Sequence, residues 1–327
     1  MTQKGAKILR YSLMALLAAV LVWVAFRGVD WKDFWSGLVQ TRWGWVILSM
    51  LCGLVALVLR ALRWQLMLRP VDEGLGLLDV FDANNIGHLS NIALPGTGEF
   101  VRAGIATTPR ATYDKVLGTE VMERLWDMLA IAVMLALTLA LGWDRFAPFM
   151  SENILEPIAA KLNISLGGLT LLILLVLALA VAAIFLLRRK VRLFDRLAGF
   201  IEGLFAGFKS FGAMPHKLIF AGITIAIWVM YLLMSFTVLK AIPATEGLAL
   251  LDALLLSTIG NIASVVPVPG GIGAYHYLIA LTLSSLYGAS WEVGVLYATL
   301  CHESHTVLVL IAGGISALRQ SLVRKRR

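Results

Sequence analysis

Six runs of predominantly apolar residues, each bounded by charge or by turn residues, constrain this chain more than any other feature. A helix needs about 20 such residues to cross the hydrocarbon core of a bilayer. The runs cover approximately residues 8–26, 45–68, 116–141, 166–187, 218–239 and 293–318. The first is preceded by Lys4, Lys7 and Arg10, an order it shares with signal peptides. Phe26 leads into Arg27, Gly28, Val29, Asp30 and Trp31 with no small-residue cleavage pattern, so the run reads as an uncleaved span.

Composition agrees with membrane residence. Of 327 residues, 59% are apolar and only 15% are charged, whereas a soluble globule is nearer half apolar and a quarter charged. This excludes a disordered chain, a secreted disulfide scaffold and most soluble enzymes. Cys52 and Cys301 each lie inside an apolar run and provide neither a disulfide framework nor a CxxC metal spacing. The net charge of +8 does not point to nucleic acid, because the cations stand at the ends of the runs. Arg188, Arg189, Lys190 and Arg192 follow the fourth run; Arg319, Arg324, Lys325, Arg326 and Arg327 follow the sixth. By the positive-inside rule both clusters and the N-terminus are cytoplasmic, which six crossings satisfy together.

Two further segments are long, apolar and broken. Residues 75–94 stop at Pro95-Gly96-Thr97-Gly98 before a short helical stretch over 99–106. Residues 248–266 stop at Pro267-Val268-Pro269-Gly270-Gly271 before 272–286 resumes. Irregular backbone at membrane depth is tolerated only inside protein or beside a polar cavity. Both segments therefore read as re-entrant helical hairpins, with paired full crossings as the competing reading. At a fixed offset of 173, residues 74–94 align with 247–267 through Gly74/Gly247, Leu75/Leu248, Leu77/Leu250, Leu78/Leu251, Asp79/Asp252, Ile86/Ile259 and Gly87/Gly260. Seven matches exceed the roughly two expected by chance between apolar segments, although chance similarity of Leu/Gly-rich sequence is the alternative. The copies, 74–106 and 247–286, would enter from opposite faces of the membrane, the arrangement of inverted-repeat transporters. The expected fold is thus an all-α polytopic membrane protein, one integral membrane domain over 1–327. It would have about six spans, two inverted hairpins and an interfacial amphipathic helix over 193–212, whose Phe194, Leu197, Ile201, Leu204, Phe205, Phe208 and Phe211 fall at helical spacing.

Ionisable residues at membrane depth are costly, and are therefore paired or functional. Glu120, Glu123, Arg124 and Asp127 fall at i, i+3, i+4 and i+7 and share one helix face. Three acids and one base leave negative charge to be matched from outside that helix. Arg60 and Arg63, one turn apart, and Arg102 are the candidates, with snorkelling to the interface as the other reading of Arg60 and Arg63. His88 beside Asn84, Asn85 and Asn91 makes the first broken segment polar for its depth, which favours a wet cavity.

The two breaks differ chemically. Glu99 lies in the first turn after the first break, where a carboxylate neutralises the positive helix terminus, and Arg102 follows one turn on. After the second, Pro269-Gly270-Gly271-Ile272-Gly273 offers backbone amides and no acid before His276. Such a terminus can receive a phosphate, or it can simply make a tight turn between helices. His302, Glu303 and His305 lie within the sixth run, and the two histidines share a face. Proton relay, headgroup contact and packing are all open to them. HESH is not the HExxH spacing of zinc proteases and no third ligand is fixed by the sequence, so neither a metal nor a cofactor is expected.

Four motifs in order carry a resemblance: RxxRW (Arg60 to Trp64), N-x3-PGTGE-x2-R (Asn91 to Arg102), ER-x2-D (Glu123 to Asp127) and PGGIGAYH (Pro269 to His276). From the second run onward the chain resembles the membrane region of the lysylphosphatidylglycerol synthase family, flippase-like integral membrane proteins that include stand-alone members. The resemblance implies a bacterial cytoplasmic (inner) membrane protein with a role in moving lipid. Carried over by position, it marks Arg63, Asn91, Glu99, Arg102, Glu123, Arg124, Asp127, Gly270, Gly271 and His276; Arg60 and His302 join them from the residues' own chemistry. Many relatives have an Arg inside the first break, as PxRxGE, where this sequence has the shorter Pro95-Gly96-Thr97-Gly98-Glu99, so headgroup specificity is not carried over. With the sequence ending at Arg327, a stand-alone member without the aminoacyl-transferase domain is expected.

The leading expectation is therefore a transporter rather than an enzyme. It would translocate a phospholipid or a polyprenyl-phosphate-type lipid whose anionic or zwitterionic headgroup passes a polar cavity between the hairpins. Membrane lipids are the expected partners, nucleic acid is not, and homo-oligomerisation is open. A membrane-embedded lipid-modifying transferase with Glu123 or Asp127 as general base is one alternative. A non-transporting assembly partner is the other. Nothing in the sequence resembles a P-loop, so direct use of ATP is not expected.

Overall fold

Where the sequence runs apolar, the backbone closes its own hydrogen bonds in helices. The computed structural model describes residues 3–94, 96–187, 190–191, 194–195, 199, 216–263, 268 and 271–326. Along the chain the helices are α1 (Gln3–Phe26), α2 (Trp31–Gln40), α3 (Trp43–Leu68), α4 (Leu77–Ala93), α5 (Gly98–Ala106), α6 (Tyr113–Leu141), α7 (Trp143–Met150), α8 (Glu156–Leu162), α9 (Leu166–Leu187), α10 (Lys217–Ala241), α11 (Leu250–Ala263), α12 (Ala274–Tyr287) and α13 (Trp291–Arg326).

Five of these are long and apolar enough to cross a membrane: Trp43–Leu68, Tyr113–Leu141, Leu166–Ile184, Lys217–Ala241 and Trp291–Val323. They coincide with five of the six apolar runs, and the 26 residues of α3 reach about 39 Å, more than the hydrocarbon core. The first run forms α1, whose described apolar part is Ala15–Phe26. The protein is an all-α polytopic membrane protein. Its exposed surface agrees, because Leu171, Leu174, Leu175, Val176 and Leu179 all face outward from α9. In water such a stripe would be an aggregation surface; lipid is its natural solvent. Trp23, Trp31, Trp35, Trp43 and Trp45 are exposed at the end of α1, along α2 and at the start of α3, as in an aromatic belt at one bilayer interface.

The helices form two compact units. The first comprises Met1–Glu123 and Leu218–Arg327. Here α4 packs on α3, α5 and α13, and α12 packs on α1, α11 and α13. One core is built by Val238, Leu239, Leu256, Ile279, Leu283, Leu296 and Tyr297, all withdrawn from solvent. The Tyr297 hydroxyl within it donates to the Ser235 carbonyl at 3.0 Å, so this buried polar group is satisfied. Arg319 of α13 clamps α4, its Nε donating to Asp82 Oδ2 at 2.5 Å and its Nη2 to Asp79 Oδ1 at 3.2 Å.

In each broken segment the described residues form two helices on either side of the Pro/Gly stretch, α4 and α5 in one case, α11 and α12 in the other. In the first, the Gly98 amide donates to Asn91 Oδ1 at 2.8 Å, and a Cβ at residue 98 would stand 2.3 Å from the Gly87 carbonyl oxygen. Only glycine lets α5 press this closely on α4. In the second, Gly273 combines φ +85° with a site where a Cβ would stand 2.6 Å from the Val22 backbone nitrogen. The start of α12 is thereby held directly against α1.

The second unit, Arg124–Lys217, contains the remainder of α6 with α7, α8 and α9. Asn163 closes α8 in the left-handed conformation at φ 54°, and Ala159 and Leu169 are buried where α8 and α9 meet. The amphipathic stretch 193–212 lies almost wholly outside the described residues.

Candidate functional site

In the first unit five buried charged side chains come together at one place. Arg60 and Arg63 project from successive turns of α3, Arg102 from α5, and Glu120 and Glu123 from successive turns of α6. All five are buried, with Arg63 and Glu123 0% exposed and Arg102 4%. Glu123 is the hub. Its Oε1 accepts from Arg63 Nη2 at 2.9 Å and from Arg60 Nη2 at 3.3 Å, while its Oε2 accepts from Arg102. Arg102 also donates to Glu120 and, through Nη1, to Asn84 Oδ1 at 2.5 Å. Its guanidinium lies 4.6 Å from the centre of the Trp64 ring, whose Nε1 is in turn held by Thr119 Oγ1 at 3.0 Å. Arg60 Nη1 reaches Tyr231 at 3.4 Å.

Burying charge is expensive, and mutual attraction offsets the desolvation only when the geometry is good and the remaining polar atoms are satisfied. Here three guanidiniums from α3 and α5 meet two carboxylates of α6. Within the cluster, Asn84 Nδ2 and Glu120 Oε1 are buried without a hydrogen-bond partner among the described residues. Such groups require water or a ligand. The cluster is therefore polar beyond what its own ion pairs use.

The expected site residues divide three ways. Arg60, Arg63, Arg102 and Glu123 come together, and neither Arg60 nor Arg63 snorkels, at 8% and 0% exposure. Asn91 holds the first amide of α5, and Glu99 sits partly exposed in that helix's first turn. Arg124 is exposed and Asp127 half-buried on the continuation of α6 in the second unit, so the stripe divides between units after Glu123. His276 and His302 form a second cluster at the other break, with ring centroids 5.4 Å apart. Gly271 adjoins it at φ +75°, and Gly270 lies outside the described residues.

The sequence reading carried Glu120 no further than the helix stripe, yet it is a direct partner of Arg102. Asn84, Trp64, Thr119 and Tyr231 were also missed as partners of the cluster. A polar residue every third or fourth position along α4 was the available signal for Asn84. None existed for Tyr231, which lies 171 residues from Arg60.

A family model described as the lysylphosphatidylglycerol synthase TM region matches residues 11–313. The chain belongs to that family. The match takes in both charged clusters and both helix breaks of this lysylphosphatidylglycerol synthase TM-region protein, and it makes the chain a membrane-embedded member of a lipid-related family. No curated protein and no solved structure matches the chain significantly.

Proposed function

We propose that the protein translocates a lipid with an anionic or zwitterionic headgroup across the membrane, the tails remaining in the bilayer while the headgroup passes the polar layer around Arg102. The observation that carries this reading is the buried cluster itself. It joins three guanidiniums, two carboxylates and Asn84 out of solvent, and in it Asn84 Nδ2 and Glu120 Oε1 have no partner among the described residues. A phosphate accepts from several guanidinium donors at once, which a layer of three clustered arginines can offer. Family membership supports a lipid as the source of that phosphate, either a phospholipid or a polyprenyl phosphate.

The two helix–break–helix segments fit a transporter of the inverted-repeat kind, with re-entrant hairpins meeting at mid-depth and tilting to expose the headgroup to each side in turn. In this reading the basic clusters after α9 and along the end of α13 face the cytoplasm of a bacterial cell, and the protein acts as a transporter rather than an enzyme. The buried state of Arg102 and Glu123 is then the occluded stage of the cycle.

The test is reconstitution into liposomes carrying headgroup-labelled phosphatidylglycerol, lysylphosphatidylglycerol, phosphatidylethanolamine or a polyprenyl phosphate, with leaflet accessibility followed over time. Protein-dependent transfer of at least one class is expected, slowed by Glu120→Gln. Transfer of none of them rejects the proposal.

A further inference from the structure

The second polar cluster, at the start of α12, is not used by the reading above and is independent of it. His276, in the first turn of α12, is 2% exposed, and its Nδ1 has no hydrogen-bond partner among the described residues. Its ring is lodged between Phe26 of α1, with centroids 5.5 Å apart, and His302 of α13, at 5.4 Å. His302 Nδ1 is 2.9 Å from Glu303 Oε1, and Tyr275 covers the His302 ring at 5.5 Å. One ligand atom from each of His276, His302 and Glu303 falls within 4.8 Å of the other two.

Gly271 borders the same space. At φ +75° its backbone follows a path that few side chains tolerate, and even a Cβ there would stand only 3.9 Å from His302 Nε2. Glu303 is 44% exposed at its side chain and His302 only 13%, so the cluster is walled by aromatic rings on one side and open at the carboxylate.

A buried imidazole nitrogen with nothing to bond is costly unless a partner is supplied. The unpartnered His276 nitrogen lies beside two other side chains of metal-ligating chemistry, an arrangement that suits a single positively charged acceptor of electron pairs. We propose that His276, His302 and Glu303 form a binding site for a divalent first-row transition metal of the zinc class.

Two nitrogens and one oxygen suit this class, with bonds of about 2.0–2.2 Å, and three protein ligands leave a fourth position for water or another oxygen donor. Atoms up to 4.8 Å apart must close by an ångström or so to share one ion, which rotation of the partly exposed Glu303 and His302 side chains provides. The break delivers His276, and the mid-helix pair delivers the rest. Metal would therefore tie the start of α12 to the middle of α13.

The experiment uses the full chain, purified in detergent with a tag free of histidine, stripped with chelator and titrated with Zn2+ and with Co2+. One equivalent of either ion is expected. Co2+ should give the visible bands of a low-coordinate nitrogen/oxygen site, and X-ray absorption of the Zn2+ form should show only light donors at about 2.0–2.2 Å. His276→Asn and Glu303→Gln should each weaken binding at least about tenfold, the loss seen even when a supporting partner of a ligand is removed. His216→Ala, distant in sequence from all three ligands, should bind as the parent does. Because Glu303 is partly exposed, Glu303→Gln reports binding even if His276→Asn fails to fold. Less than stoichiometric uptake, sulfur in the coordination shell from nearby Cys301, or undiminished binding by Glu303→Gln would overturn the proposal.

Discussion

Arg63 of α3 donates to Glu123 of α6 at 2.9 Å across 60 residues of sequence, with neither residue exposed to solvent. A pair this deep is valuable chiefly because each charge makes the other tolerable. Removing one partner of a buried pair leaves an uncompensated ion and costs about 3–5 kcal/mol. Glu123→Gln should therefore lower stability in detergent by about that amount, read from thermal or denaturant unfolding. Arg124→Gln, one residue on but exposed, should cost no more than about 1 kcal/mol, the most that an exposed ion pair contributes. Equal effects of the two would mean that the cluster does not hold the first unit together.

The clamp between α13 and α4 makes a second, graded test. Arg319 meets Asp82, whose side chain is 5% exposed, at 2.5 Å, and Asp79, 52% exposed, at 3.2 Å. An ion pair open to water contributes little, whereas an abandoned buried acceptor carries its full desolvation cost. Arg319→Ala, which leaves the Asp82 carboxylate buried and unpaired, should cost about 1–3 kcal/mol, and the coupling between Arg319→Ala and Asp82→Ala in a double-mutant cycle should exceed that between Arg319→Ala and Asp79→Ala. A larger coupling to Asp79 would reverse this ordering.

Much of the fold was legible because the information is local. The length of an apolar run decides whether a helix can span, and proline with glycine decides where it stops; thus α3, α6, α9, α10 and α13 and both breaks follow from the sequence. The short α2 did not, although Asp30 before it caps the Lys32 amide at 2.8 Å and is the signal that could have announced a helix. At the site, Arg60, Arg63, Arg102 and Glu123 stood out because charge is anomalous at membrane depth. Their partners did not, since Asn84, Thr119 and Tyr231 are polar residues of ordinary kind whose meaning depends on which helices touch. His276 and His302 share that limit. Each could be picked out alone, but their encounter depends on how α12 packs against α13.

Acid should weaken the loop between α3 and α4. The Thr108 hydroxyl donates to Asp72 Oδ2 at 2.6 Å and the Gly74 amide to Oδ1 at 2.9 Å. These bonds, the first foremost, hold the Asp72 carboxyl below its ordinary value. A depressed folded value means stabilisation that is complete above the unfolded pKa of about 3.9 and is lost as pH falls through the folded one. Thr108→Val removes the principal cause. Its loss of stability relative to the parent should be present at neutral pH and shrink as pH falls below about 4. A difference that grows in acid instead would contradict the assignment.

Glycine at the first break separates close approach from simple flexibility. A Cβ at residue 98 would stand 2.3 Å from the Gly87 carbonyl oxygen and 2.5 Å from Asn91 Nδ2, and backbone cannot step aside as a side-chain tip can. At Gly104, in the same short helix, nothing lies within 4 Å of the corresponding point. Gly104→Ala should therefore stabilise, by about 0.5–1 kcal/mol from helix propensity alone. Gly98→Ala gains the same propensity but must push α5 off α4, and with it Arg102 away from Glu120, Glu123 and Asn84. Its net effect should be destabilising, with the loss appearing in the unfolding midpoint and, under the proposed function, in lipid transfer. If the two alanines behaved alike, the close packing of α5 on α4 would not be what positions Arg102.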